Sequence, residues 1–107
     1  MDLGCNGGAL LWVWNYLLDY GAVEEECFPY TSQTGTVEKC IHECKNGAPW
    51  KKYHVSDWGI YTGITQIRKE IVANGPVDTG FMVYSDFMNY KSGIYEYKSG
   101  TLQGGKI

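Results

Sequence analysis

Six residues of this 107-residue chain carry side chains able to act as nucleophiles, bases or soft metal ligands near neutrality: Cys5, Cys27, Cys40, Cys44, His42 and His54. A thiolate beside a histidine attacks carbonyl carbon. Paired thiols in an oxidising compartment form disulfides, and thiolates with imidazole hold zinc. Cys5 stands just ahead of an apolar run, the place of a nucleophile at the start of a helix. Cys40-Ile41-His42-Glu43-Cys44 together with Cys27 offers three sulfurs and one imidazole. Structural zinc draws on two closely spaced ligand pairs, and only Cys40/Cys44 is such a pair, so disulfides are the favoured use. His42 and His54 fall in a loop and an early strand, where a surface imidazole is the ordinary reading.

The stretch around Cys5 must position any such chemistry. Gly4-Cys5-Asn6-Gly7-Gly8 has three glycines in five residues, bare enough for an extended peptide to hydrogen-bond along it. A glycine-rich turn before a helix is the plainer alternative. Ala9 to Tyr20 is apolar nearly all round and predicts a buried helix, ended by Gly21 at its C′ position. Glu24-Glu25-Glu26 reads as a solvated acidic patch, and Thr31 to Gly47 as a loop held by cysteines. Lys52 to Tyr61 predicts a strand. From Gly63 to Asn74 a helix is expected, with Ile64, Ile67, Ile71 and Val72 on one face, Thr62 or Gly63 as cap, and Asn74-Gly75-Pro76 as stop. Val77 to Tyr84 alternates as a strand. Ser85 to Tyr90 fits one helical turn capped by Ser85 or Asp86, and Ile94 to Tyr97 a short strand between turns at 91–93 and 98–100. The layout is α+β, helix first and strands later.

The totals narrow the function. Hydrophobic residues at 44% and charged ones at 20% suit a folded chain with a core. Nine Tyr and four Trp favour interfaces and clefts, where one end of the ring is dry and the other wet. A net charge of −3 argues against nucleic acid as partner. Ala9 to Leu18, broken by Asn15, is too short to cross a membrane, and Met1-Asp2-Leu3 has no positive n-region of a signal peptide.

Six stretches in register resemble the papain-like cysteine peptidases, in their cathepsin B-like branch: Gly4-Cys5-Asn6-Gly7-Gly8, Cys27-Phe28-Pro29-Tyr30, Asn74-Gly75-Pro76-Val77, Val83-Tyr84-Ser85-Asp86-Phe87, Tyr90-Lys91-Ser92-Gly93-Ile94-Tyr95 and Gly104-Gly105. The resemblance implies a papain-like fold present in part, the end of its helical half and the first strands of its barrel-like half. Gly7 and Gly8 then border the cleft and pair with substrate backbone. Leu10 and Gly80 lie at the pocket for the second residue before the scissile bond, where Gly80 leaves room for a bulky side chain; a core residue on the helix face is the alternative for Leu10. Cys27 pairs with Cys44, while Cys5 and Cys40 match cysteines whose partners lie upstream. The implied partners are peptide and protein substrates, with propeptide and protein inhibitors besides. The compartment is lysosomal, vacuolar or secreted, and no cofactor or metal is implied. The branch carries a histidine-bearing loop between the counterparts of Cys27 and Cys40; residues 28–39 hold no histidine, which implies endopeptidase rather than carboxydipeptidase action.

The chemistry itself is missing. The family nucleophile lies in a Cys-Trp pair, and none of the four cysteines precedes a Trp. The family histidine follows Gly-Gly, where this chain has Lys106. An ordinary lysine, with a pKa of about 10.4, is protonated at neutral pH and cannot act as the base. The expectation is residues 1–107 as one partial peptidase domain, inactive alone. Lys106-Ile107 then arises from a truncated product, such as read-through of an intron opening GTAAG, or from loss of catalysis in a paralogue kept for binding peptides or a partner.

Overall fold

The computed structural model describes residues 3–106, in two compact units, Met1–Ile60 and Tyr61–Ile107. In the first, the apolar run forms helix α1, Leu10–Asp19. It stops as its sequence predicts: Tyr20 and Gly21 both donate their N–H to the Tyr16 carbonyl, at 2.8 and 3.1 Å, with Gly21 at φ 69°. Glycine is also needed there for space, because a Cβ would lie 2.8 Å from the Tyr53 carbonyl and 2.9 Å from His54 Nε2. Segment 53–54 crosses the helix end. Ala22 and Tyr53 exchange backbone hydrogen bonds at 2.9 and 2.8 Å, and His54 Nδ1 lies 3.2 Å from the Leu18 carbonyl.

That single bridge is all that forms of the strand predicted over Lys52 to Tyr61. A ladder needs a partner that stays extended, and after Ala22 the chain turns, with Cys27 N–H on the Glu24 carbonyl at 3.0 Å. The acidic patch is likewise more than solvated surface. Glu24 accepts from the Tyr53 hydroxyl at 2.9 Å and Glu25 from the Tyr30 N–H at 2.8 Å.

Beyond Tyr30 the loop is irregular, as expected, apart from a 3-10 turn at Ser32–Thr34. Cys27 and Cys44 form a disulfide across a separation of 17 residues, which on the loop-entropy account contributes about 3 kcal/mol. Lys45 reinforces the junction: its N–H donates to the Cys27 carbonyl at 2.9 Å, and its ammonium pairs with Glu38 and lies 5.1 Å over the Phe28 ring. Glu38 also accepts from the Thr31 hydroxyl at 2.5 Å. These bonds, that from Lys45 first, hold the Glu38 carboxyl below the ordinary range.

Burial departs furthest from expectation. Among the described residues only Gly21, Cys27, Cys44 and Val83 are buried. The helix expected in a core has no buried residue, and Leu11, Trp12, Val13 and Tyr16 stand 44–54% exposed. A helix apolar all round needs neighbours on every side, and a loop-rich unit supplies only part of that cover.

In the second unit, helix α2 spans Ile64–Asn74. Gly63 at φ 82°, rather than Thr62, occupies the cap position, and Gly75 closes the far end with its N–H on the Ile71 carbonyl at 3.0 Å. Strand β1, Phe81–Tyr84, pairs antiparallel with β2, Leu102–Lys106, in the register Phe81↔Lys106, Met82↔Gly105, Val83↔Gly104. The ladder is shorter than the alternation from Val77 suggests, and Val83 alone of that face is fully buried. Strand β2 was not legible, since Gly104-Gly105 carry no side chains to alternate.

Asp86 organises the connection between β1 and β2. It lies in a 3-10 turn, Ser85–Asn89, whose cap is Tyr84. Instead of capping, its carboxylate accepts from the Tyr95 hydroxyl at 2.7 Å and from the N–H groups of Lys98 and Ser99 at 3.0 and 3.3 Å. Those bonds bend residues 94–99 around a side chain, so the strand predicted over Ile94 to Tyr97 does not form. Phe81, Phe87, Tyr90 and Tyr95 cluster beside it, with neighbouring ring centroids 4.9–6.4 Å apart.

The Asp86–Tyr95 bond sets a pH window. The Tyr95 hydroxyl, then the Lys98 N–H, holds the Asp86 carboxyl below its ordinary range, and the same bond pushes Tyr95 from 10.0 up to about 12. A depressed carboxyl stabilises the fold above its unfolded pKa, and this is lost as pH falls through the folded value. A raised phenol stabilises below pH 10, and this is lost as pH climbs toward 12. In an ultraviolet titration Tyr95 should therefore ionise well above pH 10. Asp86→Asn should bring that ionisation down and speed amide exchange at Lys98 and Ser99.

Candidate peptide-binding wall

Gly4–Asn6 forms a 3-10 turn closed by its own backbone: Leu3 N–H donates to the Gly7 carbonyl at 2.7 Å, Asn6 N–H to the Leu3 carbonyl at 3.1 Å and Gly7 N–H to the Gly4 carbonyl at 3.3 Å. Gly7 leaves this turn at φ 102°, ψ −179°, a conformation that favours glycine, and a Cβ there would meet nothing within 4 Å. Gly7 thus spends both backbone groups on the turn. Gly8 is exposed, and among the described residues neither its N–H nor its carbonyl has a hydrogen-bond partner. Leu10, half-buried, opens α1 two residues on. The three positions follow one another along the chain: fixed turn, exposed glycine, half-buried apolar side chain.

The turn has support that its sequence did not announce. A Cβ on Gly4, at φ 58°, would fall 2.8 Å from Val37 Cγ2. Val37 is separated from Gly4 by more than thirty residues, so only the fold reveals the contact.

In the second unit Gly80 is exposed and immediately precedes β1. Its neighbour Phe81 is paired with Lys106, so Gly80 and Lys106 lie at the same end of the ladder. The Lys106 side chain and Ile107 fall outside what the structure describes, as do Met1 and Asp2.

Neither histidine joins a thiol. His54 is engaged at the end of α1, and His42 lies edge-on to Trp50 with ring centroids 6.4 Å apart. Cys5 and Cys40 are free and exposed. The three-sulfur zinc set is not assembled, because Cys27 and Cys44 are bonded to each other. Among the described residues no cluster of three or more His, Cys, Asp or Glu could hold a metal ion, and no helix is long and apolar enough to cross a membrane. Acyl transfer requires a thiolate and a base within hydrogen-bond reach.

A fold of helix plus small antiparallel sheet, with a disulfide-closed loop beside a glycine turn, defines a class. The family model for papain family cysteine proteases matches residues 1–106, and the chain belongs to that family, with a partial α+β papain-like fold. Within it the similarity runs to cathepsin B-like enzymes. The chain is 38% identical over 109 residues to a cathepsin B-like CP3 of Giardia intestinalis, covering 97% of this chain and 36% of that protein. It is 38% identical over 116 residues to cathepsin B-like protease 1 of Arabidopsis thaliana (95% and 31%), and 35% identical over 119 residues to cathepsin B of Dictyostelium discoideum (97% and 38%). The chain spans about a third of the length of these relatives.

Proposed function

We propose that residues 1–107 supply the substrate-facing wall of a papain-type cysteine endopeptidase, as the central part of its domain, and that this chain alone binds extended peptide without cleaving it. The observation that carries the reading is Gly8: an exposed residue whose N–H and carbonyl both lack a hydrogen-bond partner among the described residues, held between a hydrogen-bonded turn and the start of a helix. Such a group pairs with the main chain of a substrate whatever its side chains. Gly7 anchors the edge. By the family resemblance, Leu10 in the first unit and Gly80 in the second are each proposed to face the second residue before the scissile bond, and the missing Cβ of Gly80 suits a bulky side chain. The histidine-free residues 28–39 favour endopeptidase action.

The disulfide supports an oxidising compartment, lysosomal, vacuolar or secreted. Propeptide and protein inhibitors would lie along the same edge as substrate. Cys5 and Cys40, free here, would pair with cysteines elsewhere in the larger domain. Lys106 favours a second reading, a papain-fold protein that keeps its cleft for binding and has lost catalysis.

The test is peptide binding by the 107-residue chain, kept dilute. An extended peptide with a bulky apolar side chain should slow amide exchange at Gly8 and remain uncut. Gly8→Pro deletes the donor and should weaken binding roughly tenfold. Unchanged exchange at Gly8, or equal affinity of the variant, would overturn the assignment.

A further inference from the structure

We propose that Val37 is a positioning residue for the peptide-binding edge, acting from the disulfide-closed loop through Gly4. The inference rests on the reading of Gly8 above and adds a residue to it. Val37 Cγ2 lies 2.8 Å from where a Cβ on Gly4 would stand, so the Val37 side chain rests against the bare face of Gly4 and would have to move to admit any side chain there. Gly4 is the residue whose carbonyl receives the Gly7 N–H at 3.3 Å, the longest and weakest of the three bonds that close the turn. Contact of Val37 with Gly4 therefore bears on the residue that accepts this bond, and Gly7, which donates it, directly precedes Gly8.

The loop holds Val37 at that contact. Val37 precedes Glu38, whose two carboxylate oxygens take the Thr31 hydroxyl and the Lys45 ammonium. Lys45 in turn follows Cys44 and is bonded back to the Cys27 carbonyl. Val37 is thus one residue from a carboxylate held on both sides and inside a covalent ring. An apolar side chain 62% exposed, in a loop of polar residues, has no core to serve; its close neighbour is Gly4.

The experiment measures amide exchange by mass spectrometry on the dilute full chain, with the disulfide intact, for wild type, Val37→Ala and Val37→Ile. Loss of two partly covered methyl groups should speed exchange over residues 3–7 by about two- to fivefold. Val37→Ile should restore protection, and exchange at Ala22 and Tyr53, in the same unit but away from the contact, should not change. In the presence of an extended peptide, Val37→Ala should weaken binding by a similar factor and Val37→Ile should recover it. Unaltered exchange over residues 3–7 in Val37→Ala overturns the inference, as does faster exchange that spreads to Ala22 and Tyr53. A wild-type chain that binds no peptide removes the role of Gly8 itself; a response of residues 3–7 to Val37→Ala would then mark Val37 as a support of the turn only. Altered exchange with unchanged peptide affinity overturns the positioning role while leaving Gly8 in place.

Discussion

Grafted into the cathepsin B of Dictyostelium discoideum in place of the matching third, residues 1–106 should give an enzyme that binds substrate and scarcely turns it over, and Lys106→His should restore hydrolysis. The loss with Lys106 should be about 10²–10⁴-fold in kcat, the contribution of a positioned general acid–base. The cause is electrostatic as well as geometric. Lys106 stands on β2 directly after Gly104-Gly105, paired with Phe81, at the position that the family resemblance gives to the histidine. A protonated ammonium there accepts no proton from the nucleophile, and although it can pair with a thiolate it cannot cycle between base and acid near neutral pH. KM should change far less than kcat, because the binding edge around Gly8 belongs to a different segment. A Lys106 chimera as fast as the histidine variant would show that this position is not the catalytic one. A histidine variant that folds, binds peptide and stays inactive would show that the wall contributed by this chain is incompetent.

Purified alone, the chain should self-associate at micromolar concentration, bind a hydrophobic dye and unfold without a sharp transition. Leu11, Trp12, Val13 and Tyr16 on α1, and Ile64, Ile71 and Val72 on α2, are each 44–88% exposed. Apolar faces of this kind mark interaction surfaces or aggregation liabilities. Against them the buried side chains among the described residues are those of one disulfide and Val83, a small core for a chain of this length. The disulfide and the Asp86 bonds should keep local order in their loops even so. Light scattering against concentration, with calorimetry, decides the matter: a monomer with a single cooperative transition would contradict the expectation.

Local chemistry was legible wherever a short segment sufficed. The stop of α1 at Gly21 follows from left-handed backbone that glycine adopts at little cost, and α2 from apolar residues at helical spacing ended by Asn74-Gly75-Pro76. The Cys27–Cys44 pairing came from family resemblance, since four cysteines allow several pairings and spacing does not choose among them. The misreadings share a cause. Lys52 to Tyr61 and Ile94 to Tyr97 have strand-like composition, but a strand exists only with a partner, and one lost its partner to a turn while the other was recruited by Asp86. Strand β2 was invisible for the converse reason, its glycines carrying no pattern although its backbone pairs well.

By itself the sequence determined the family, the bare glycine edge at residues 4–8 and the limits of both helices to within a residue or so, and it raised the expectation, through the resemblance, that Lys106 stands where the family has its base. These depend on residue identity and on neighbours a few positions away. Only the tertiary structure decided that Gly7 uses both its backbone groups in the turn while Gly8 has no hydrogen-bond partner among the described residues, that Val37 lies against Gly4, that Asp86 gathers residues 95–99, and that α1 buries no residue. Those facts depend on which distant segments meet, and hydrogen bonding and burial are settled only when they do.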